Sequence, residues 1–337
     1  MLPPDPRPIL DLIEAFRRSK TMFTALSLGV FDLLEQNPAT PQELADHTRT
    51  DRDSLERLLE ACGSLGLVTR SEDTFRNTPL ASAYLARSSP NSLAGYIKYS
   101  DDVLYAMWNH LEDAVREGTH RWKQTWGLTS GALFDRFFHT DEAMRTFLMG
   151  MHGFGMLSSP AVVRAFDLTR FRSLADLGGA TGHLVAAACE AYPEMQGVLF
   201  DLPRVVAFAR ERIAESSAQG RIACVPGDFF QDTLPPADLY ALGRILHDWD
   251  QEKIHRLLSR IHAALPEGGA LLIAEKLMDE NRMGPTHVQM QSLNMLVCTE
   301  GRERTLSGYR TLLERAGFHT VEGANTGQPV DAILARK

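Results

Sequence analysis

The stretch Asp176-Leu177-Gly178-Gly179-Ala180-Thr181-Gly182 is where residue types and spacing in this 337-residue chain first suggest ligand chemistry. It follows the apolar pair Leu174-Ala175 and opens a helical pattern, which is the setting a nucleotide loop needs. Glycines there permit a tight turn and let the backbone approach a ligand closely. The spacing is D-x-G-x-A-x-G, whereas dinucleotide loops read G-x-G-x-x-G and present backbone donors to a pyrophosphate. This loop suits a ligand without phosphate.

Two further acids stand where a nucleoside would need them. Asp201 closes the apolar run Val198-Leu199-Phe200, at the position from which a carboxylate accepts hydrogen bonds from ribose hydroxyls. Gly227-Asp228-Phe229 follows Ile222-Ala223-Cys224-Val225 and offers a carboxylate to an adenine amino group and a ring to its face. S-adenosylmethionine, a nucleoside with an amino-acid tail and no phosphate, fits this set. The glycine loop would face the tail and Asp176 its ammonium.

A fourth apolar run, Leu239-Tyr240-Ala241-Leu242, leads into Arg244-Ile245-Leu246-His247-Asp248-Trp249. A histidine at a strand's carboxyl end lies beside the ligand of an open α/β sheet. Glu275 ends the fifth run, Leu271-Leu272-Ile273-Ala274, and Glu303 sits in Gly301-Arg302-Glu303-Arg304-Thr305. Carboxylates near an imidazole fix its orientation and stabilise its protonated form. The three residues therefore read as a base with two partners. No His or carboxylate cluster has metal-ligand spacing along the chain, so no metal is expected.

The elements that must position these groups form two rhythms. From Arg172 onward strands and helices alternate, with helical stretches over Asp250 to Leu265 and Leu306 to Ala316 and a closing run Ala332-Ile333-Leu334-Ala335. This predicts a Rossmann-like, doubly wound α/β sheet with its ligand at the carboxyl ends of the strands. Before it, helical apolar spacing runs from Ile9 to Leu34, and Thr40-Pro41-Gln42-Glu43 is a capping-box helix start. A second helix is expected from about Asp51 to Ala61, ended by Gly63. Two short strands follow at Leu67–Arg70 and Thr74–Asn77. Helix, turn, helix, hairpin is a winged-helix pattern, but the second helix carries Asp51, Asp53, Glu56 and Glu60 against Arg52 and Arg57, the wrong balance for a DNA groove. Residues from about Ser92 to Asp167 read as all-helical and rich in aromatics and Met. Most of these are expected in the core, a few lining an apolar pocket.

Bulk composition agrees. A hydrophobic share of 44% with 23% charged residues is that of a globular protein, and a net charge of −8 argues against phosphate-rich partners. Cys62, Cys189, Cys224 and Cys298 are isolated, which predicts reduced thiols in a cytoplasmic protein. No signal peptide or 18-residue apolar run is evident, so no membrane association is expected.

With these motifs the chain resembles the class I S-adenosylmethionine-dependent O-methyltransferases, the type that includes plant caffeate and bacterial polyketide-tailoring enzymes. It is most similar to the acetylserotonin (hydroxyindole) branch. Further echoes are His110-Leu111-Glu112-Asp113-Ala114-Val115-Arg116-Glu117-Gly118, Ser292-Leu293-Asn294-Met295-Leu296-Val297 and Asp331-Ala332-Ile333-Leu334-Ala335-Arg336-Lys337. The resemblance covers nearly the whole chain. It implies a winged-helix dimerisation domain over 1–90, a helical connector lining the acceptor pocket over 91–167, and the cofactor-binding domain over 168–337. It also implies an intertwined homodimer.

By the same resemblance, Asp176, Gly178, Gly179, Gly182, Asp201, Leu202, Asp228, Phe229 and Arg244 would contact the cofactor, which leaves as S-adenosylhomocysteine. His247 would deprotonate the acceptor hydroxyl, flanked by Glu275 and Glu303. Phe147, Met151, Phe154, Asp248, Met290, Asn294 and Cys298 would meet a small aromatic acceptor, Met290, Asn294 and Cys298 sharing a helix face at four-residue spacing. Two positions depart from the family pattern. Ala180 replaces the usual middle glycine of the loop, and Cys298 stands where the acetylserotonin branch has glutamine, which puts an indole acceptor in doubt.

The chemistry implied is in-line methyl transfer, in which positioning can supply about 7–11 kcal/mol. With a phenol pKa of about 10 and a histidine pKa of about 6.5, full proton transfer before attack would cost roughly 5 kcal/mol. The proton is therefore expected to leave as the oxygen attacks. Other readings stay open at this point. The same fold and cofactor could serve hydroxylation or pericyclic catalysis, the winged helix could bind DNA, and a dinucleotide oxidoreductase is a distant third.

Overall fold

The computed structural model describes residues 3–129 and 133–337. Its contacts divide into two compact units, Met1–Asp102 and Val103–Lys337. The stretch 91–167, expected as a separate connector, is thus shared between the two, most of it in the second.

The first unit contains α1 (Arg7–Ser27), α2 (Val30–Gln36), α3 (Pro41–Thr48), α4 (Arg52–Ser64), the hairpin β1 (Val68–Ser71) and β2 (Thr74–Asn77), α5 (Pro79–Tyr84) and α6 (Ala94–Tyr99). The capping box at the start of α3 forms as its sequence dictates. Thr40 accepts from the Glu43 N–H while Glu43 returns a carboxylate to the Thr40 N–H. Helix α4 runs through Gly63, where an end was expected. The chain turns instead at Gly66, whose φ of +72° favours glycine. Strands β1 and β2 pair antiparallel, Val68 opposite Asn77, and Ala39 bridges Phe75 beside them. The acids of α4 are partly neutralised, Glu56 pairing with both Arg52 and Arg70. One face of α1 leaves Ile9, Leu10, Leu12, Ile13 and Phe16 exposed.

The second unit opens with α7 (Tyr105–Trp108), α8 (Leu111–Glu117), α9 (Trp122–Trp126), α10 (Leu133–Phe137) and the long α11 (Asp141–Arg164). Then come β3 (Ser173–Leu177), α12 (His183–Ala191), β4 (Gln196–Asp201), α13 (Pro203–Ile213), β5 (Ile222–Pro226), β6 (Leu239–Gly243), α14 (Gln251–Ala264) and β7 (Ala270–Glu275). The chain ends with β8 (Leu277–Met278), α15 (Thr286–Cys298), β9 (Arg304–Thr305), α16 (Leu306–Arg315), β10 (Thr320–Ala324) and β11 (Asp331–Arg336).

Seven of these strands form one sheet in the order β10-β11-β7-β6-β3-β4-β5. Pairing is parallel from β7 through β5, and antiparallel where β11 joins β7 and β10 joins β11. Every apolar run noted in the sequence from Leu174 onward lies in one of these strands. β10 carried no such run because it is an edge strand in which Val321 alone is buried, with Thr320 and Glu322 exposed. The strand order reverses between β3 and β6, and both carry ligand-site candidates at their carboxyl ends.

Helix α11 packs along α12 with glycines turned toward it. A Cβ on Gly155 would lie 2.3 Å from the His183 ring, so only glycine admits that approach. His183 in turn bonds Ser159 of α11 at 2.9 Å, and His152 of α11 bonds the Thr181 hydroxyl in the glycine loop at 2.9 Å.

Candidate active site

The glycine loop joins β3 to α12. Gly178 (φ +71°) and Gly182 (φ +81°) occupy the left-handed region, where a side chain is strained. Space forbids one too. A Cβ on Gly178 would meet Ile245 at 2.7 Å and Phe229 at 3.2 Å, and one on Gly182 would meet Ile213 at 2.3 Å. Gly179 lies over the Asp176 carboxylate, 2.9 Å from where its Cβ would stand. Asp176 is buried and accepts from the Val185 N–H at 3.3 Å, so it braces the start of α12 from beneath the loop. Burial pushes its carboxyl up to about 7.

Ala180 also has positive φ, +51°, which explains why glycine is usual there. Its N–H donates to Asp201 Oδ2 at 2.8 Å, while Asp201 Oδ1 accepts from Leu202 N–H at 2.7 Å. The carboxylate at the end of β4 thus clamps the glycine loop and keeps lone pairs for further donors. Asp228, just past β5, accepts from Phe230 N–H and from the Gln231 amide, each at 2.7 Å. Phe229 lies against Gly178 and edge-on to Phe230.

After β6 the chain turns through Arg244, at φ +57°, with its N–H on the Ala274 carbonyl at 2.9 Å. A single 3-10 turn, Leu246–Asp248, then presents His247. Glu275 at the end of β7 holds that turn in place. Its Oε1 accepts from the Leu246 N–H at 2.9 Å and the His247 N–H at 3.3 Å, and its Oε2 faces His247 Nδ1 at 3.3 Å. Glu303 Oε1 accepts from Nδ1 at 2.7 Å. The segment carrying Glu303 straps over the turn. Glu300 N–H donates to the Asp248 carbonyl at 3.1 Å, and a Cβ on Gly301 would lie 2.2 Å from the His247 carbonyl.

His247 is 3% exposed and Glu275 wholly buried. Burial by itself lowers the imidazole's pKa, but Glu275, Glu303 and Asp248 together outweigh it and push His247 up to about 9. Burial raises Glu275 to about 7 and Asp248 to about 6. Asp248 Oδ1 is 3.7 Å from His247 Nε2, the nitrogen left free by the two glutamates.

Sequence spacing gave no sign of a metal group. Yet His247, Glu275 and Glu303 offer ligand atoms within 4.8 Å of one another, the one such group of three or more among the described residues. The 2.7 Å separation is that of a hydrogen bond, since two ligands around a tetrahedral ion at ~2.0 Å stand about 3.3 Å apart.

The expected acceptor residues divide. On α11, Met151 Sδ accepts from Arg244 Nη1 at 3.1 Å, and Arg244 stacks over Phe154 with its guanidinium carbon 4.7 Å from the ring centroid. Phe147 joins an aromatic cluster with Phe134, Phe137 and Phe138, and that cluster reaches Trp249 through Phe134. On α15, Asn294 Oδ1 accepts from the Trp108 indole N–H at 2.8 Å, and the buried Cys298 thiol lies 3.7 Å from that oxygen and 3.9 Å from Met107 sulfur. Met290, two turns before Cys298 on the same helix, is 46% exposed. Trp108 appeared in the sequence only as one of many aromatics, and Tyr309, fully buried beside the two glutamates and Arg304, carried no signal.

The sequence profile of the O-methyltransferase domain matches residues 108–319, and that of the O-methyltransferase dimerisation domain matches residues 10–87. The chain belongs to the O-methyltransferase family. Acetylserotonin O-methyltransferase of Gallus gallus is 42% identical over 338 residues, covering 98% of this O-methyltransferase and 97% of the relative. A probable bifunctional dTTP/UTP pyrophosphatase/methyltransferase protein of Homo sapiens is 41% identical over the whole chain, which spans 54% of that protein's length. The crystal structure of human N-acetylserotonin methyltransferase in complex with SAM matches with a TM-score of 0.94 and 40% identity, covering 98% of this chain and 97% of that one. All four cysteines of the O-methyltransferase are free thiols. No helix among its described residues is long and apolar enough to cross a membrane.

Proposed function

We propose that this O-methyltransferase moves a methyl group onto a hydroxyl of a small aromatic acceptor, with His247 as general base. The observation that carries this reading is the fixing of His247 Nδ1 by two buried carboxylates, which leaves Nε2 as the nitrogen able to take a proton. S-adenosylmethionine is the methyl donor, and the residues present fit it. The glycine loop packs so tightly on the protein's own side chains that only bare backbone fits at Gly178, Gly179 and Gly182, Asp201 and Asp228 stand at the carboxyl ends of adjacent strands with acceptor capacity, and the buried Nε of Arg244 has no partner among the described residues.

Bound donor supplies a methyl group already activated by a sulfonium charge. The chain aligns the acceptor, excludes water and moves the proton. Against a phenol at about 10, an imidazole at about 9 leaves roughly one unit to climb, about 1.4 kcal/mol, where an unperturbed histidine would leave about 5 kcal/mol. The gain is offset at neutral pH, because a base at about 9 is then mostly protonated. Glu275 and Glu303 are positioning residues that hold the ring and stabilise the imidazolium it becomes.

The acceptor site comprises Met151 and Phe154 of α11, with Asn294 and Cys298 of α15; Phe147 backs it from the aromatic cluster. A thiol at Cys298 in place of an amide leaves the Trp108–Asn294 bond as the polar feature of that wall, which disfavours acceptors that need an amide contact. The exposed apolar face of α1, in a unit matching a dimerisation domain, supports a homodimer, and four reduced thiols suit the cytoplasm.

The test is a panel of phenols, N-acetylserotonin included, with methyl-labelled donor. S-adenosylhomocysteine formed one-for-one with methylated product supports the reading, and turnover without it points to a non-methylating use of the cofactor. His247→Ala should lower kcat by about 10²–10⁴-fold with donor affinity nearly unchanged. Wild-type turnover in that variant would remove His247 from the mechanism.

A further inference from the structure

Lys276 follows Glu275 directly, at the end of the strand that orients the base. It is half-buried, and its Nζ lies 5.2 Å from the Phe154 ring centroid. Arg244 stacks on the same ring at 4.7 Å. Neither cation has a carboxylate partner among the described residues, and Lys276 makes no hydrogen bond among them. Glu275 and Glu303, the nearby acids, are turned to His247. Burial and the adjacent guanidinium push the Lys276 ammonium down to about 8, against the opposing pull of the Glu303 carboxylate. Removing a cation from water without a counter-charge in direct contact is costly, and contact with an aromatic face recovers only part of that cost.

We infer that Lys276 is an anion-binding residue of the acceptor site, and that the acceptors this enzyme prefers carry a carboxylate or comparable anionic group on the aromatic skeleton. This rests on the reading of the chain as a methyltransferase of small aromatic hydroxyls. Arg244 is already engaged with Met151 and is expected to serve the donor. Lys276 is the cation left over, on an aromatic residue of the acceptor wall. A carboxylate could also come from the donor's own amino-acid tail, so the test must separate the two sources.

The experiment measures equilibrium binding by calorimetry in the presence of S-adenosylhomocysteine, which requires no turnover. Matched pairs of phenolic acids and their methyl esters are compared, for example 4-hydroxycinnamate, 4-hydroxyphenylacetate and 4-hydroxybenzoate. The wild-type protein should bind at least one acid roughly tenfold to a hundredfold more tightly than its ester, the range of a charge-assisted hydrogen bond. Lys276→Met should abolish that preference while leaving the ester's affinity within about twofold, and Lys276→Arg should restore most of it.

The inference is overturned if no acid in the set is preferred, if the preference survives in Lys276→Met, or if that variant instead weakens S-adenosylhomocysteine binding, which would assign Lys276 to the donor. An acid preference that depends on Lys276, with no methylation of any phenol, would strike the functional reading and leave the anion site standing.

Discussion

Nδ1 of His247 donates to Oε1 of Glu303 at 2.7 Å, across 56 positions of sequence. That bond fixes which nitrogen of the neutral ring keeps its proton and leaves Nε2 as the acceptor once the imidazolium has lost one. Glu303→Gln keeps the shape but can present an N–H to the ring and favour the opposite tautomer. Turnover should fall by at least about 10²-fold, toward the ~10⁴-fold loss typical when an orienting carboxylate becomes an amide. Donor affinity should be unchanged. A variant with near-normal kcat would show that the tautomer is set elsewhere, with Glu275 the remaining candidate.

The pH dependence follows from the direction of the shift. His247 is raised above its ordinary value, so its neutral form, the one able to act as base, grows in as pH rises toward about 9. kcat/KM for the donor, which reports the free enzyme, should climb about tenfold per unit between pH 6 and 8 and level near 9. In Glu303→Gln the limb should move to lower pH, since one stabilising carboxylate is gone. The same shift acts oppositely on stability. The contribution is whole below about 6.5 and is lost as pH rises through about 9. A kcat/KM flat over pH 6–9 would contradict the assignment.

Ala180 gives a test of the glycine loop itself. At φ +51° it bears strain of about 1–2 kcal/mol that glycine would not. Glycine costs about 0.4–1 kcal/mol through a looser unfolded chain. Ala180→Gly should therefore stabilise by up to about 1 kcal/mol, read as a higher urea midpoint at unchanged m-value. The N–H bond to Asp201 survives the change, so donor affinity should stay within a few-fold. A clear loss of stability would mean the loop relaxes around the methyl group.

Metal dependence can be checked directly because three ligand atoms gather at the base. Activity should persist after dialysis against a chelator and gain nothing from added magnesium or zinc. Activity lost to the chelator and restored by one divalent ion would convert the His247–Glu275–Glu303 group from a hydrogen-bonded base into a metal centre.

The exposed stripe on α1 predicts assembly. Leu12 is 71% exposed beside Ile9, Ile13 and Phe16, and single-chain folding gains nothing from that apolar face. Leu12→Glu should shift the protein to half the mass in light scattering, with little change in far-UV circular dichroism. A wild-type protein already monomeric at micromolar concentration would refute the homodimer.

Much of the site was legible because its chemistry lies at strand ends. An apolar run followed by an acid, as at Phe200-Asp201, announces both the strand and a carboxylate at its carboxyl end. Glu275 was legible as a partner of His247 from its place at a strand end, and Glu303 from its carboxylate in Gly301-Arg302-Glu303-Arg304-Thr305, with the family resemblance adding weight to both. What escaped depends on three-dimensional phase. Four-residue spacing groups Met290 with Cys298, yet Met290 is 46% exposed and Cys298 is buried. Gly63 looked like a helix end because glycine is a poor helix former, yet α4 includes it and ends at Ser64, and the positive-φ glycine that turns the chain is Gly66. Burial of Lys276 beside a ring, and of Tyr309 behind the glutamates, leaves no trace in residue spacing.

Gly155 meets neither the donor loop nor the acceptor wall by its own side chain, having none. Its missing methyl lets His183 at the head of α12 sit against α11, which also carries Phe147, Met151 and Phe154 of the proposed acceptor site. A larger residue at 155 must displace either the His183 ring or α11, and where α11 yields, all three side chains travel with it. Divergence toward new acceptors can therefore proceed through a position that touches no ligand, leaving every pocket residue unchanged and altering selectivity by displacement alone.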